Sequence, residues 1–317
     1  MQVDCIAFLL LDLSSFLIRR GIMSTTELYV VIGATGRTGS AAANTLLNAG
    51  KRVRVVVRDE SQADRWAVLG AEVAVADLTD HFSLCKAFSD ADGAYIVSPP
   101  QYSSETLFSQ AEAMARSIAD AATNAKLPKL VALSSIGAEQ QNGTGWIAMN
   151  RMLEESLSGT GIPVIFLRAA YFMENWGALV KIAVEQHQLP SFLSPLNQKF
   201  PMIATADIGR IAAEALCENW EGVRIIDLEG PARYSPIDIA EHLSLTLGKA
   251  IQPASIPESD WALSIAGQGF SSAAISGFIE MTQGINSGHI AFHDRSNAEC
   301  RTGSVKLETV IDALAAG

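Results

Sequence analysis

The sequence predicts an α/β fold: a doubly wound, mainly parallel sheet with a smaller, mostly helical lobe toward the carboxyl terminus. Three observations predict it. Short apolar runs alternate with helical segments from Leu28 to Leu167, a glycine-rich turn joins the first strand to the first helix, and the alternation loosens after Arg168. Apolar runs without a polar face indicate strands buried on both sides, and therefore helices on both faces of the sheet.

Six strands and the helices between them are predicted in the first half of the chain. The first strand runs from Leu28 to the glycine turn, and the others span residues 52–57, 72–75, 93–97, 129–133 and 163–167. Helical spacing or capping residues predict helices at 61–69 (with Gly70 as a C-cap), 82–88, 104–125 and 146–157. Ligands of such sheets bind beyond the carboxyl ends of the strands, so the loops after strands carry the functional information.

The glycine turn is Gly33-Ala34-Thr35-Gly36-Arg37-Thr38-Gly39. A strand, a glycine turn and a helix N-terminus form the arrangement in which backbone N–H groups and the helix dipole hold a pyrophosphate. The spacing is G-x-x-G-x-x-G rather than the stricter G-x-G-x-x-G, and the alternative is a glycine connection that binds nothing. With β–α alternation on both sides, the turn favours a Rossmann dinucleotide site made by Gly33, Thr35, Gly36, Arg37, Thr38 and Gly39.

The second half of the chain predicts a helix at 174–187, a helix opening at Ala206-Asp207-Ile208-Gly209 and a strand at 223–228. Ser235-Pro236 combines an N-cap serine with proline at the first helical position. The predicted domains are an NAD(P)-binding domain at 24–170, with 205–229 packing back onto it, and a substrate lobe formed by 171–204 and 230–317. Residues 1–23 are predicted to be an extension outside these domains, because Asp12 interrupts their apolar run and no signal-peptide layout is present; the alternative is a cryptic signal peptide.

The composition indicates which classes of binding partner are expected. The chain has 317 residues and a net charge of −11, without a basic cluster. Nucleic acids and anionic membranes need clustered Lys and Arg, so neither is an expected direct partner. The four cysteines are far apart in sequence, which is typical of reduced thiols in a cytoplasmic protein. His289 and His293 lack the acid of a zinc motif, and no metal site is predicted.

Several short motifs, in this order, carry a family resemblance over nearly the whole chain: Gly33–Gly39, Arg58-Asp59, Asp77-Leu78, Val97-Ser98-Pro99-Pro100, Leu133-Ser134-Ser135, Leu153-Glu154-Glu155, Gly161-Ile162-Pro163 with Arg168, Phe172-Met173-Glu174-Asn175, Ala206-Asp207-Ile208-Gly209, Gly230-Pro231 with Ser235-Pro236, and Arg301-Thr302-Gly303. From Leu28 onward, the chain resembles the NmrA-like branch of the atypical short-chain dehydrogenase/reductase superfamily. The resemblance implies binding of NAD(P)(H). Some members of the branch reduce quinones or related carbonyls, and others are regulators that respond to the nucleotide without turnover.

The charges near the turn indicate which cofactor is preferred. NAD-selective folds carry an acid after the second strand, where this chain has Arg58, and Arg37 lies in the turn itself. Two guanidinium groups favour a 2′-phosphate, so NADP(H) is expected to bind better than NAD(H). The alternative is that Arg58 pairs with Asp59 or Glu60 on the surface. By resemblance, Asp77 and Leu78 border the adenine, and Ser98 and Pro99 line the nicotinamide end.

The expected catalytic positions depart from the superfamily's pattern. Related dehydrogenases use Tyr-x-x-x-Lys after the fifth strand, where this chain has Trp146 and Asn150. An indole cannot act as a general acid near neutral pH, which excludes the usual alcohol dehydrogenase and epimerase chemistry. Asn150 is expected to contact the ribose, or else to be an ordinary exposed helix residue. Ser135 occupies the superfamily's serine position, with Ser134 beside it, unless both satisfy backbone groups.

A quinone acceptor relaxes the need for an acid. Its reduction gives an anion with a pKa of about 10, so water can supply the proton. Tyr171 is the nearest candidate donor, and Asn175 is a candidate contact for the nicotinamide carboxamide; packing is the alternative for each. Two hypotheses remain: an NADPH-dependent reductase of quinones or similar small electrophiles, and a non-catalytic NADP(H) sensor acting through a protein partner. A homo-oligomer is compatible with both.

Overall fold

The computed structural model describes residues 27–293 and 299–316. The extension predicted at 1–23 lies outside the described residues. Thirteen strands are present in this part of the chain: β1 Leu28–Ile32, β2 Arg52–Val57, β3 Glu72–Val75, β4 Gly93–Ile96, β5 Leu130–Ser135, β6 Val164–Ala169, β7 Tyr171–Phe172, β8 Gln188–Ser191, β9 Phe200–Ile203, β10 Val223–Glu229, β11 Arg233–Tyr234, β12 Gln252–Ser255 and β13 Glu299–Thr302.

Eleven α-helices lie between and after these strands in the described ranges: α1 Arg37–Asn48, α2 Ala63–Val68, α3 His81–Phe88, α4 Leu107–Asn124, α5 Ala148–Ser158, α6 Gly177–Gln186, α7 Thr205–Leu216, α8 Pro236–Leu247, α9 Trp261–Ala266, α10 Ser272–Ser287 and α11 Leu307–Ala316. The helix predicted at 61–69 is preceded by a 3-10 turn. It ends beside Gly70, whose φ of +85° is the left-handed conformation expected after a helix.

The main sheet has eight strands in the order β13-β10-β6-β5-β4-β1-β2-β3. Every neighbouring pair in it is parallel. Chain order reverses between β1 and β4, and this is the point at which doubly wound folds bind their ligands. The predicted α/β fold with a mainly parallel Rossmann sheet is therefore confirmed.

Both faces of the main sheet are covered. Side chains of β1 alternate between two cores: Val30 packs with residues of α3, α4 and α5, and Val31 packs with residues of α1 and α7. Both valines are fully buried. Burying a side chain of this size contributes about 1.5–3 kcal/mol. This two-sided burial explains why the strand has no polar face in sequence.

The remaining segments form the smaller lobe. Its apolar core is shared by α6, α8 and α11 with strands β8 and β9. A three-stranded sheet, β11-β9-β7, and a two-stranded pair, β12-β8, accompany the helices. Helix α8 begins as expected, because the Ser235 hydroxyl accepts from the Asp238 N–H and the Asp238 carboxylate accepts from the Ser235 N–H.

Two segments cross between the lobe and the main sheet. β10 pairs with β6, and α7 packs against α1. Strand β13 pairs with β10 at the edge of the main sheet, although the sequence placed 230–317 in the substrate lobe. Its four residues, Glu-Cys-Arg-Thr, carry no apolar run that would have marked them as a strand. The proposed division into domains stays a prediction.

Candidate functional site

The glycine turn after β1 has no room for a side chain at Gly33 or Gly39. Gly33 has a φ of +76°, and its carbonyl oxygen accepts from the Gly36 N–H at 2.9 Å. A Cβ on Gly39 would lie 2.2 Å from the Gly33 oxygen, so only glycine lets α1 begin this close to the strand. On the other side, the Val97 side chain fills the space beside Gly33. The turn therefore lies directly beside the carboxyl end of β4.

The helix after this turn has an open N-terminus. Gly36 is the N-cap of α1, in extended conformation, and no side chain caps the helix. Thr35 and Arg37 are exposed beside it, whereas Thr38 is buried. Unsatisfied N–H groups and the positive end of the helix dipole form a ready site for an anionic group. The cradle fits the pyrophosphate of a dinucleotide.

Two exposed cations lie at this edge of the sheet. Arg58 directly follows β2, the neighbour of β1, and Arg37 begins α1. Neither makes an ion pair or a hydrogen bond within residues 27–293 and 299–316. No ion pair joins Arg58 to Asp59 or Glu60 in the described ranges, and the Asp59 carboxylate accepts from the Ser61 N–H at 2.8 Å. Both guanidinium groups are free to meet a phosphate.

The loops after β3 and β4 complete this end of the crevice. The Asp77 carboxylate accepts from the backbone N–H and the hydroxyl of Thr79, each at 2.8 Å, and these bonds hold the pKa of Asp77 below its usual range. The charge of nearby Arg58 acts in the same direction. Leu78 is buried, and Ser98 and Pro99 are half-buried after β4. Their contacts with adenine and nicotinamide stay predictions.

A buried polar network closes the ends of β5 and β6. The Ser134 hydroxyl donates to Glu154 at 2.5 Å, and the Arg168 guanidinium donates to both Glu154 oxygens at 3.0 and 2.8 Å. Glu139 lies 3.1 Å from the same guanidinium. Burial opposes the charge of Arg168, but the carboxylates of Glu154 and Glu139 raise its pKa. The Ser134 hydroxyl donates its proton within this network. Its predicted contact with the cofactor stays a prediction.

Asn150 stands one helical turn before Glu154 on α5. Residues four apart lie on the same helix face, so Asn150 lies on the side of α5 from which Glu154 reaches the end of β5. Asn150 is half-buried there, and no hydrogen bond engages its side chain in the described ranges. Ser135, at the end of β5, donates to the Ile136 carbonyl at 3.1 Å. The predicted ribose contact by Asn150 stays a prediction.

Tyr171 and Asn175 lie beyond β6, where the main sheet meets the lobe. Burial raises the pKa of Tyr171 to about 12, against the effect of a hydrogen bond with Asn175. The ring of Tyr171 lies edge-on to Trp176 and packs against the core of the lobe. The neighbouring Glu174 accepts from the N–H and the hydroxyl of Thr205, at the start of α7. A phenol in this position keeps its proton at neutral pH.

The residue at the superfamily's tyrosine position has a structural contact. The Trp146 indole N–H donates to the Ala274 carbonyl of α10 at 2.8 Å, and its ring lies 4.1 Å from the ring of Tyr102. Neither Tyr102 nor α10 was predicted from the sequence to take part in the site. The available signal was a tyrosine four residues beyond Ser98, in the same loop after β4.

Two open cavities, of about 490 and 580 Å³, lie in the smaller lobe. None of the predicted site residues lines either one. Within the described ranges, no cluster of three His, Cys, Asp or Glu side chains could hold a metal ion. No described helix is both long and apolar enough to cross a membrane.

Fold and crevice together define an α/β protein of the Rossmann type with an anion cradle at its topological switch point. The model of the NmrA-like family matches residues 25–296, and the chain belongs to this family.

Individual relatives are more distant. The chain is 24% identical to an NAD(P)H azoreductase of Xenophilus azovorans over 76% of its own length and 81% of the relative. It is also 24% identical to quinone oxidoreductase 2 of Escherichia coli, over 75% and 81% of the two chains. The solved structure of a Citrobacter triphenylmethane reductase complexed with NADP(H) superposes with a TM-score of 0.76 at 19% identity, covering 91% of this chain and 99% of that one.

Proposed function

We propose that this protein binds NADP(H) and transfers a hydride from NADPH to a quinone or a similar small electrophile. The observation that carries the proposal is the uncapped N-terminus of α1, with Arg37 and Arg58 beside it and free of ion pairs. The names of the relatives support the oxidoreductase class: they reduce azo compounds and quinones, and the solved structure holds NADP(H).

Each part of the crevice has a separate task in this proposal. The turn from Gly33 to Gly39 holds the pyrophosphate, Arg37 and Arg58 bind the 2′-phosphate, and Asn150 hydrogen-bonds the ribose. The bound nicotinamide supplies the hydride. The loop at Ser98 and Pro99 orients the acceptor against the nicotinamide ring and limits the access of water.

The acceptor class follows from the side chains at the tyrosine and lysine positions. Trp146 and Asn150 carry no acidic proton that could be given to an alkoxide. Hydride transfer to a ketone produces an alkoxide, whereas a quinone produces an anion with a pKa of about 10, which solvent protonates. Quinones are therefore expected to be reduced much faster than simple ketones.

The test is NADPH oxidation against a panel of quinones and simple ketones, with binding of NADP(H) and NAD(H) measured in parallel by calorimetry. Turnover with quinones and tighter binding of NADP(H) are expected. Absence of nucleotide binding would overturn the proposal.

A second candidate is a sensor that binds NADP(H) without turnover and acts through a protein partner. The observation that favours it is the hydrogen bond from the Trp146 indole to the Ala274 carbonyl of α10. The residue at the expected catalytic position therefore has a structural role. Tight NADPH binding with no turnover on any acceptor would select this function.

A further inference from the structure

Tyr102 places a phenol beside the residue that replaces the superfamily's tyrosine. The rings of Tyr102 and Trp146 are 4.1 Å apart and inclined by 34°. Phe270 flanks both rings, at 5.4 Å from Tyr102 and 5.7 Å from Trp146. A hydroxyl is thus available from the neighbouring loop, next to an indole that carries none.

The backbone around Tyr102 is held by the N-terminus of α10. The Tyr102 carbonyl accepts from the Ser271 N–H at 2.9 Å, and the Ser271 hydroxyl donates to the Ser104 carbonyl at 2.9 Å. The Glu105 carboxylate accepts from the N–H groups of Ser272 and Ala273, at 3.0 and 3.1 Å. Such multiple anchoring fixes the direction of a side chain before any ligand arrives.

The phenol itself has no assigned partner. The Tyr102 side chain is half-buried, and its hydroxyl makes no hydrogen bond to residues 27–293 or 299–316. By contrast, Tyr171 interacts with Asn175, and the Tyr234 oxygen accepts from the Leu307 N–H. Burial raises the pKa of Tyr102 above its usual range, so the phenol keeps its proton at neutral pH.

We propose that the Tyr102 hydroxyl is the hydrogen-bond donor for the acceptor oxygen that becomes negative during reduction. The inference rests on the proposed function. The hydride, with its two electrons, reduces the quinone and leaves a negative charge on the acceptor oxygen. Tyr102 stabilises this charge by donating a hydrogen bond while keeping its own proton, and a solvent proton then completes the hydroquinone.

A donor of this kind has a kinetic signature that packing lacks. Its effect grows as more charge is localised on the oxygen, and therefore as the reduced product becomes more basic. Tyr102→Phe keeps the ring contacts with Trp146 and removes only the hydroxyl. The comparison uses a series of quinones whose hydroquinone anions increase in basicity. The ratio of wild-type to variant kcat is expected to be about one for the least basic and between about tenfold and about a hundredfold for the most basic.

The matched control is Tyr29→Phe. Tyr29 is fully buried near the amino end of β1, at the opposite edge of the sheet, where its hydroxyl faces the side chains of Glu27 and Cys217. The kcat of the Tyr29→Phe variant is expected to equal that of the wild type with every quinone. Equal unfolding transitions of Tyr102→Phe and the wild type would exclude loss of folding as the cause of a lower kcat.

A binding experiment provides a second readout without turnover. 4-Nitrophenol is added to the protein with NADP⁺, and the absorbance of its phenolate is followed across pH. A donor at the oxyanion position lowers the pH at which the bound probe ionises, and Tyr102→Phe is expected to move that pH back toward the value in free solution.

The outcomes separate the two proposals. If the wild type reduces quinones and Tyr102→Phe lowers kcat by one common factor, or not at all, the role of Tyr102 is overturned and the proposed function stands. If the wild type reduces no quinone, the proposed function fails, and the role of Tyr102 fails with it.

Discussion

Gly209 lies directly against Thr38, so the helix that carries the anion cradle and the helix after β9 touch backbone to backbone. A Cβ on Gly209 would stand 2.4 Å from the Thr38 carbonyl oxygen and 2.4 Å from the Ala41 Cβ. Helix α7 therefore supports α1 within its first turn. The position of the N–H groups in the cradle depends on this contact.

Gly209→Ala is expected to destabilise the protein by about 1–3 kcal/mol, because overpacking forces the two helices apart. Displacing α1 also displaces the N–H groups at its N-terminus, so NADP(H) binding should weaken as well. Urea unfolding measures the first effect, and calorimetric titration measures the second. Gly267→Ala is the matched control: its φ is −74° and nothing lies within 4 Å of an added Cβ. A Gly209→Ala protein as stable as this control would contradict the packing argument.

Asp207 links α7 to the segment after β13 and predicts a loss of stability in acid. Its buried carboxylate accepts from the Val305 N–H at 2.8 Å and pairs with Arg210. Burial opposes the charge, but these hydrogen bonds and the cation hold the pKa of Asp207 below its ordinary value of 3.8. A lowered folded-state pKa gives stability that is present above the unfolded-state pKa and is lost as pH falls through the folded-state value.

Wild-type protein should therefore lose this contribution below about pH 4. Asp207→Asn should lack it at neutral pH already, and its stability should change less between pH 6 and pH 3. Urea unfolding at several pH values gives both curves. The exposed Asp120, replaced by Asn, is the control and should follow the wild type. Parallel curves for Asp207→Asn and wild type would rule out this source of acid sensitivity.

The sequence contained enough to predict most of the main sheet, because apolar runs such as Leu28–Ile32 form strands buried on both faces. The sequence also predicts that Arg58, directly after β2, contacts a 2′-phosphate, and this contact stays a prediction. Strand β13 was not predicted, because it is an edge strand with mostly exposed side chains and has no apolar run. Its position depends on backbone pairing with β10. Tyr102 was not predicted as a site residue for another reason. Its ring contact with Trp146 lies in a region where α10 packs against the loop after β4, from more than 160 residues away along the chain.

Arg58→Ala is expected to remove most of the preference for NADP(H) over NAD(H). A charge-assisted hydrogen bond contributes about 1.5–3 kcal/mol, which corresponds to roughly tenfold or more in affinity for the 2′-phosphate form. Affinity for NAD(H), which lacks this phosphate, should change little. Calorimetric titration of both cofactors gives the ratio. Arg116→Ala, an exposed change on α4, should keep the wild-type ratio. Equal affinities of the wild type for the two cofactors would refute the argument.

Tyr171→Phe is expected to slow quinone reduction only modestly, by less than about tenfold, because solvent can protonate a hydroquinone anion with a pKa of about 10. The high pKa of Tyr171, about 12, also makes it a poor acid toward that anion. Steady-state kcat and KM against one quinone measure the effect. A loss of about 10² or more in kcat, the range typical of a lost general acid, would show that Tyr171 delivers the proton. In that case the loss should also bring a changed solvent isotope effect, which removal of a packing contact alone would not produce.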